Sequence, residues 1–278
     1  MCLHGGSYDA EYFDCDADHS IATVAGALEI PVISVTRPGY CNSTIVPTEN
    51  NDNETYAQRQ GQYLKSTILP ALWSNYGKQS GSTALVFLGH SIGGMMAIIA
   101  AGSHTGSEGF PLGGLIVSGI GSAPEPSARA AIMEILSSKP ECVNFDPGLK
   151  DDLMLQLPHN NLTNPKMKDK TAHLNKPMPY DEAYDINVTW LDHLRQYAGA
   201  IRVPVMYNIS EIDGLWLSTP DAIRNFRNAF ISSPRVEAAI LPMAPHCIEL
   251  SRQSKGWLTR CCGFAMESAI QRNLRESS

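Results

Sequence analysis

Residues 84–94 read ALVFLGHSIGG, and their reading decides the fold. The run from Ala84 to Leu88 is apolar and suits a strand. Gly89-His90-Ser91-Ile92-Gly93 follows as a G-x-S-x-G turn, and Met95, Met96, Ala97, Ile98 and Ile99 suit a buried helix. A strand, a tight turn and a helix are the setting in which that pentapeptide has chemical meaning. A turn this sharp leaves no room for side chains beside the serine, and glycine removes the Cβ that would clash. The pattern predicts Ser91 in a strained backbone geometry with its oxygen clear of the sheet. The N–H of Ile92, at the helix start, is then directed to where an oxyanion would form. Alone the pentapeptide is weak, because Gly and Ser are common. Its alternative is a glycine-containing turn bearing a solvated serine. The partners around it decide.

Working outward, the chain alternates. Residues 18–28 carry Ile21, Val24, Ala25 and Leu28 at helical spacing, with Asp18 as a candidate cap. Residues 31–35 read as a buried strand. A polar loop is expected at 48–52 and a helix over 54–76, which Pro70 should kink or break near its end. Residues 112–118, LGGLIVS, form another buried strand. Such alternation implies an α/β fold, a mostly parallel sheet with helices on both faces. After Gly119 the regularity stops. Helical pieces are expected near 128–136, 149–157 and 183–197, with a polar loop between Pro158 and Pro179 that holds the basic run 166–170. Residues 121–200 thus read as an inserted helical cap between core segments 1–120 and 201–278. Strands resume at 203–209 and 236–241. A helix over 220–230 with Pro at its first turn separates them, and a closing helix covers 257–274.

Composition narrows the function classes. The 278 residues are 43% hydrophobic and 18% charged, enough for a sizeable core. The net charge of −7, with no basic stripe, argues against a nucleic-acid partner. No apolar run reaches transmembrane length. Seven irregularly spaced cysteines with no C-x-x-C read as reduced thiols, hence a cytoplasmic setting. No cluster has metal-ligand spacing, so neither metal nor cofactor is expected. The expected partner is a small-molecule substrate, for a monomer or homodimer.

Acyl transfer by a serine needs a base, and the base needs a third group to orient it. In parallel sheets such groups stand at the carboxyl ends of strands. The strand at 203–209 runs into Ser210-Glu211-Ile212-Asp213-Gly214, where Asp213 is the candidate acid and Glu211 its competitor. Glu125 and Asp221 rank below them. The last strand runs into Pro242-Met243-Ala244-Pro245-His246, which makes His246 the candidate base. The order serine, acid, histidine is then complete. Leu3-His4-Gly5-Gly6-Ser7 is the candidate oxyanion loop, with the Gly6 amide as first donor and Ser7 second, partnering that of Ile92. His4 supports the loop in which it stands. His90 beside the serine, with Tyr180, Tyr184 and Trp190 from the cap, are the candidate substrate contacts. For the cap aromatics, burial for packing is the competing reading.

With these residues in place, the chain resembles the α/β-hydrolase superfamily. The resemblance rests on LHGGSY at 3–8, RPGY at 37–40, GHSIGG at 89–94, EIDGLW at 211–216 and APHCIEL at 244–250. It implies a Ser91–Asp213–His246 triad, an oxyanion hole from the Gly6 and Ile92 amides, and a cap over the pocket. The implied activity is a serine hydrolase acting on an ester, thioester or lactone of a small apolar substrate. Alternatives on the same scaffold are a C–C bond hydrolase, an acyltransferase, or a ligand-binding protein with little turnover. Two departures stand out: the family's first two strands are absent ahead of His4, and Thr36 stands where relatives often have aspartate.

Overall fold

The computed structural model describes residues 1–46, 54–158 and 160–276. The loop expected at 48–52, and His159, lie outside the described residues. Six strands form the main sheet: β1 (Cys2–Leu3), β2 (Ser34–Val35), β3 (Leu85–His90), β4 (Leu112–Ser118), β5 (Val205–Ile212) and β6 (Val236–Pro245). Their order is β6-β5-β4-β3-β1-β2, and every pairing is parallel. All seven residues of β4 are buried, as expected of a central strand covered on both faces. Of the strand expected over 31–35, Ser34 and Val35 stand opposite Cys2 and Leu3, and the Ile33 carbonyl accepts the Cys2 N–H at 2.8 Å. The register sets Leu3 beside Gly89, His90 beside Ser118, and Ser118 beside Asn208. The loops that follow these strands therefore meet at one end of the sheet.

The helices differ from the sequence expectations in instructive ways. Helix α1 (Ile21–Ala27) is capped by Ser20, whose hydroxyl accepts from the Thr23 N–H, rather than by Asp18. Helix α2 (Tyr56–Tyr63) opens on a Thr55–Gln58 capping box. Its helical path does not break at Pro70. It continues to Gly77 through two widened turns, Leu64–Ile68 and Trp73–Gly77, on either side of Leu69–Leu72. In the first of these the Leu69 N–H reaches back to the Leu64 carbonyl. The hydrogen-bond ladder is thus already offset where proline has no N–H to give. Helix α3 (Ile92–Gly102) is buried on every side and packs against β3, α2 and the later helix Trp190–Ala200.

Residues 121–200 are mostly helical, with α4 (Pro126–Ser137), a turn at Pro147–Lys150, α5 (Lys168–Leu174), α6 (Tyr180–Val188) and α7 (Trp190–Ala200). The helix expected over 183–197 is two helices joined at Thr189. The loop expected between Pro158 and Pro179 contains α5, which buries Thr171 and Leu174, so the basic run is partly helical. Its Lys170 pairs with Asp16 at 2.5 Å. Cys142–Val143 also pairs with Met178–Pro179 as a small antiparallel ladder. Leu136, Val143, Met154, Met178 and Trp190 belong to the same apolar core as Leu3, Phe87 and Ile92. Helix α8 (Pro220–Arg227) and the long α9 (Ser254–Glu276) complete the chain. All seven cysteines are free. Among the described residues, no helix is long and apolar enough to cross a membrane.

Candidate active site

Ser91 stands between β3 and α3 with φ 53° and ψ −121°, a backbone region that L-residues rarely occupy. Two glycines allow it. A Cβ on Gly89 would lie 2.6 Å from the Gly93 carbonyl oxygen, and one on Gly93 would lie 2.2 Å from the Leu3 carbonyl oxygen. The second contact presses the turn against the His4–Gly6 loop. The Ser91 N–H donates to the Ser118 carbonyl at 2.7 Å, which ties the turn to β4.

His246 and Asp213 come together from the ends of β6 and β5. The imidazole Nδ1 lies 2.9 Å from each Asp213 carboxylate oxygen. Asp213 Oδ1 also accepts the N–H groups of Leu215 (2.9 Å) and Trp216 (3.1 Å), so the loop's own backbone holds the carboxylate in place. The competitor Glu211 is exposed and accepts the Met243 N–H at 2.8 Å. It braces the turn leading to His246 and makes no hydrogen bond to the imidazole. Cys247, next in sequence, is buried, and burial pushes its thiol up to about 12.

Behind the serine, His90 is fully buried, stacked on Tyr12 with centroids 5.0 Å apart. Its Nδ1 is 3.1 Å from Ser118 Oγ, and Ser118 donates to Glu249 at 2.9 Å. Tyr12 and Trp257 donate to the same carboxylate, at 2.7 and 2.8 Å. Burial, and then the nearby His246, lower the His90 pKa, which keeps the ring neutral. Burial raises that of Glu249. His90 thus has a supporting place under the turn in addition to touching the cavity. Sequence reasoning missed Glu249, which lies within the quoted APHCIEL stretch but carries no spacing signal of its own.

The His4–Ser7 loop is gripped from several directions. Arg37 is fully buried; its Nε donates to the His4 carbonyl (2.9 Å), its Nη2 to the Gly5 carbonyl (3.2 Å), and its backbone N–H to His4 Nε2 (3.0 Å). His4 Nδ1 lies 2.8 Å from the Gly5 carbonyl oxygen. Burial, and then the Arg37 charge, hold the His4 pKa well below its ordinary value. Its ring is therefore a neutral brace of the loop. Arg37 pairs through both terminal nitrogens with Glu182 of α6, at 2.5 and 2.8 Å, and Tyr40 also donates to Glu182. On the other side, Lys150 Nζ donates to the Ser7 carbonyl at 2.6 Å and sits 3.5 Å above the Tyr8 ring. Burial lowers the Lys150 pKa to about 7. The Ser7 N–H points to Tyr40 Oη at 3.3 Å. That occupies the second-choice oxyanion donor and leaves Gly6. The sequence signal for Arg37 was the RPGY stretch at a strand end; for Glu182 and Lys150 there was none.

One cavity joins these parts. Gly5, Gly6, Ser91, Ile92 and His246 line its polar end; Ile132, Phe145, Met154, Met178, Ile186 and Trp216 line its apolar body. Its free volume is about 60 Å³, room for a few water-sized groups at about 10–15 Å³ each. Gly6 is the narrow point, since a Cβ there would sit 2.6 Å from Met178 Sδ. Tyr180, Tyr184 and Trp190 do not line this cavity. Tyr180 and Tyr184 stack on each other with centroids 6.0 Å apart, and Trp190 is buried in the core. Helix periodicity gives the cavity Ile186 and Asn187 instead.

Comparison with known proteins agrees with this architecture. The sequence matches the Alpha/beta hydrolase family over residues 1–255. No curated protein matches it. Among solved structures, a thermophilic esterase from Thermogutta terrifontis superposes with TM-score 0.61 at 17% identity, covering 96% of this chain and 89% of that one. MenH from S. aureus gives 0.61 at 17%, covering 96% and 92%. A Paleococcus ferrophilus monoacylglycerol lipase gives 0.60 at 13%, covering 96% and 93%. At these identities the likeness is one of fold.

Proposed function

The chain belongs to the alpha/beta hydrolase family, and we propose that it is a serine hydrolase cleaving an ester, thioester or lactone of a small substrate with an apolar body. Ser91 is the nucleophile, His246 the general base, and Asp213 the group that orients the imidazole. The amides of Gly6 and Ile92 receive the oxyanion. The observation that carries this reading is the His246–Asp213 hydrogen bond at 2.9 Å, standing over the cavity that Ser91, Gly6 and Ile92 also line. The esterase and the lipase among the similar folds support the reaction class.

In the proposed reaction Ser91 Oγ bonds to the substrate carbonyl carbon while its proton passes to His246. Collapse of the tetrahedral intermediate breaks the bond to the leaving group, which takes that proton. Water then adds to the acyl-serine, giving its proton to His246, and the acid is released as the proton returns to Ser91 Oγ. Asp213 fixes the Nδ1–H tautomer, so that Nε2 is the basic nitrogen. Residues 121–200 act as the cap: Ile132, Phe145, Met154, Met178 and Ile186 form the apolar wall. The small free volume favours short acyl groups.

A fluorophosphonate probe tests this directly. Mass spectrometry of the intact protein is expected to show one adduct, mapped to Ser91 and lost in Ser91→Ala. Folded protein that takes up no probe would remove the hydrolase reading and favour ligand binding without turnover.

A further inference from the structure

The cavity carries one feature that acyl transfer alone leaves unused. Arg129, on the first turns of α4, lines it alongside Pro124 and Ile132, and among the described residues it is the only lysine or arginine in the lining. Among the described residues, no aspartate or glutamate lines the cavity. The Arg129 side chain makes no hydrogen bond or ion pair with any described residue. The obvious acid, Glu125 four residues earlier, is engaged elsewhere: its Oε2 accepts from the Ala128 N–H at 2.7 Å and from Ser127 Oγ at 2.5 Å. A cation near the positive end of a helix dipole, beside apolar surface and unpaired, lowers stability rather than raising it. A chain with net charge −7 has acids enough to pair it if pairing were its role.

We propose that Arg129 recognises an anionic group on the substrate, a carboxylate set apart from the scissile carbonyl by a short apolar spacer. The inference rests on the hydrolase reading and names its substrate class. The planar guanidinium offers a carboxylate two parallel N–H donors, and the partly enclosed site strengthens them relative to bulk water. The apolar wall of Ile132 and Phe145 then packs the spacer. A neutral ester would satisfy the wall and leave the guanidinium without its partner.

The test compares anionic substrates with neutral twins. p-Nitrophenyl hydrogen glutarate carries the carboxylate on the acyl side, and 4-butyryloxybenzoate carries it on the leaving group; each is paired with its methyl ester and corrected for uncatalysed hydrolysis. Wild-type protein is expected to prefer at least one anionic member about tenfold or more in kcat/KM. In Arg129→Met that ratio should fall to near one, and Arg129→Lys should restore part of it. Equal rates for both members of both pairs, or a preference that survives in Arg129→Met, would overturn the proposal. If Ser91 takes no fluorophosphonate and no ester is cleaved, the hydrolase reading has failed instead. Calorimetric titration of wild-type protein and Arg129→Met with the same compounds then decides: tighter binding of an anionic member that depends on Arg129 sustains the recognition role, and equal binding ends it.

Discussion

On the sheet side of the cavity, Ser91, Asp213 and His246 are placed by main-chain geometry. Ser91 is tied to the Ser118 carbonyl and Asp213 to two amides of its own loop. On the side of residues 121–200, the His4–Ser7 loop is held by side-chain charges taken out of water, Glu182 through Arg37 and Lys150 directly. The two kinds of support fail differently. Backbone hydrogen bonds survive most side-chain changes, so Ser91 and His246, the proposed nucleophile and base, keep their places unless the reacting group itself is altered. A buried ion pair that loses one partner leaves an uncompensated charge. The loop expected to supply the Gly6 amide is therefore coupled to the seating of α6 and of Lys150, and the region least legible in the sequence sets the tension of the most legible one.

The largest expected effect separates the two acids on the sheet side. Asp213→Asn should lower kcat by about 10⁴-fold, because the tautomer and charge support of His246 are lost. Glu211→Gln, which only weakens the contact to the Met243 N–H, should stay within about threefold. Esterase kinetics on the two purified variants check this, and the reverse order would transfer the orienting role to Glu211.

Next comes the buried pair. Arg37→Met and Glu182→Met should each destabilise the fold by about 3–5 kcal/mol. The double variant should fall well short of the sum, since the second substitution removes the charge stranded by the first. Urea unfolding of the four proteins measures the coupling. Strict additivity would mean that Arg37 acts on the His4 and Gly5 carbonyls without help from Glu182.

The smallest effect concerns Lys150 and pH. Burial lowers its folded pKa to about 7, while the unfolded chain titrates near 10.4. Between these values the unfolded state binds the extra proton, so this group raises stability as pH increases through that window. The gain is at most about 1.4 kcal/mol per pH unit. Below pH 7 both states hold the proton and the contribution is flat. Tm measured from pH 6 to 9 should therefore rise for the wild type relative to Lys150→Met. Parallel curves would mean that the ammonium keeps its charge above Ser7 throughout.

Much of the site could be read along the chain because strand-end chemistry is local. The G-x-S-x-G turn is a contiguous pattern, and its glycines are required by backbone contacts a few residues away. Asp213 and His246 follow strands whose apolar runs are visible in one dimension, so topology brings together what the order of motifs suggested. The same locality explains the errors. The sequence predicts a kink or break at Pro70, since nothing in it announces a widened turn at Leu64–Ile68. Tyr180, Tyr184 and Trp190 are cap aromatics that the sequence offers as pocket lining, yet which face of α6 and α7 meets the cavity depends on how those helices pack.

By itself, then, the sequence determined the alternating α/β plan, the strained serine turn, the glycine loop and the order along the chain of Ser91, Asp213 and His246, the proposed nucleophile, acid and base. Each of these depends on residues close together or on periodicity along one strand or helix. Only the tertiary structure decided that Asp213 rather than Glu211 meets His246, that Arg37 joins the His4–Ser7 loop to Glu182 across 145 residues of chain, and that Arg129 lines the cavity with no partner among the described residues. Those outcomes rest on the packing of distant segments, where a buried charge is stabilised or stranded by neighbours that no local pattern specifies.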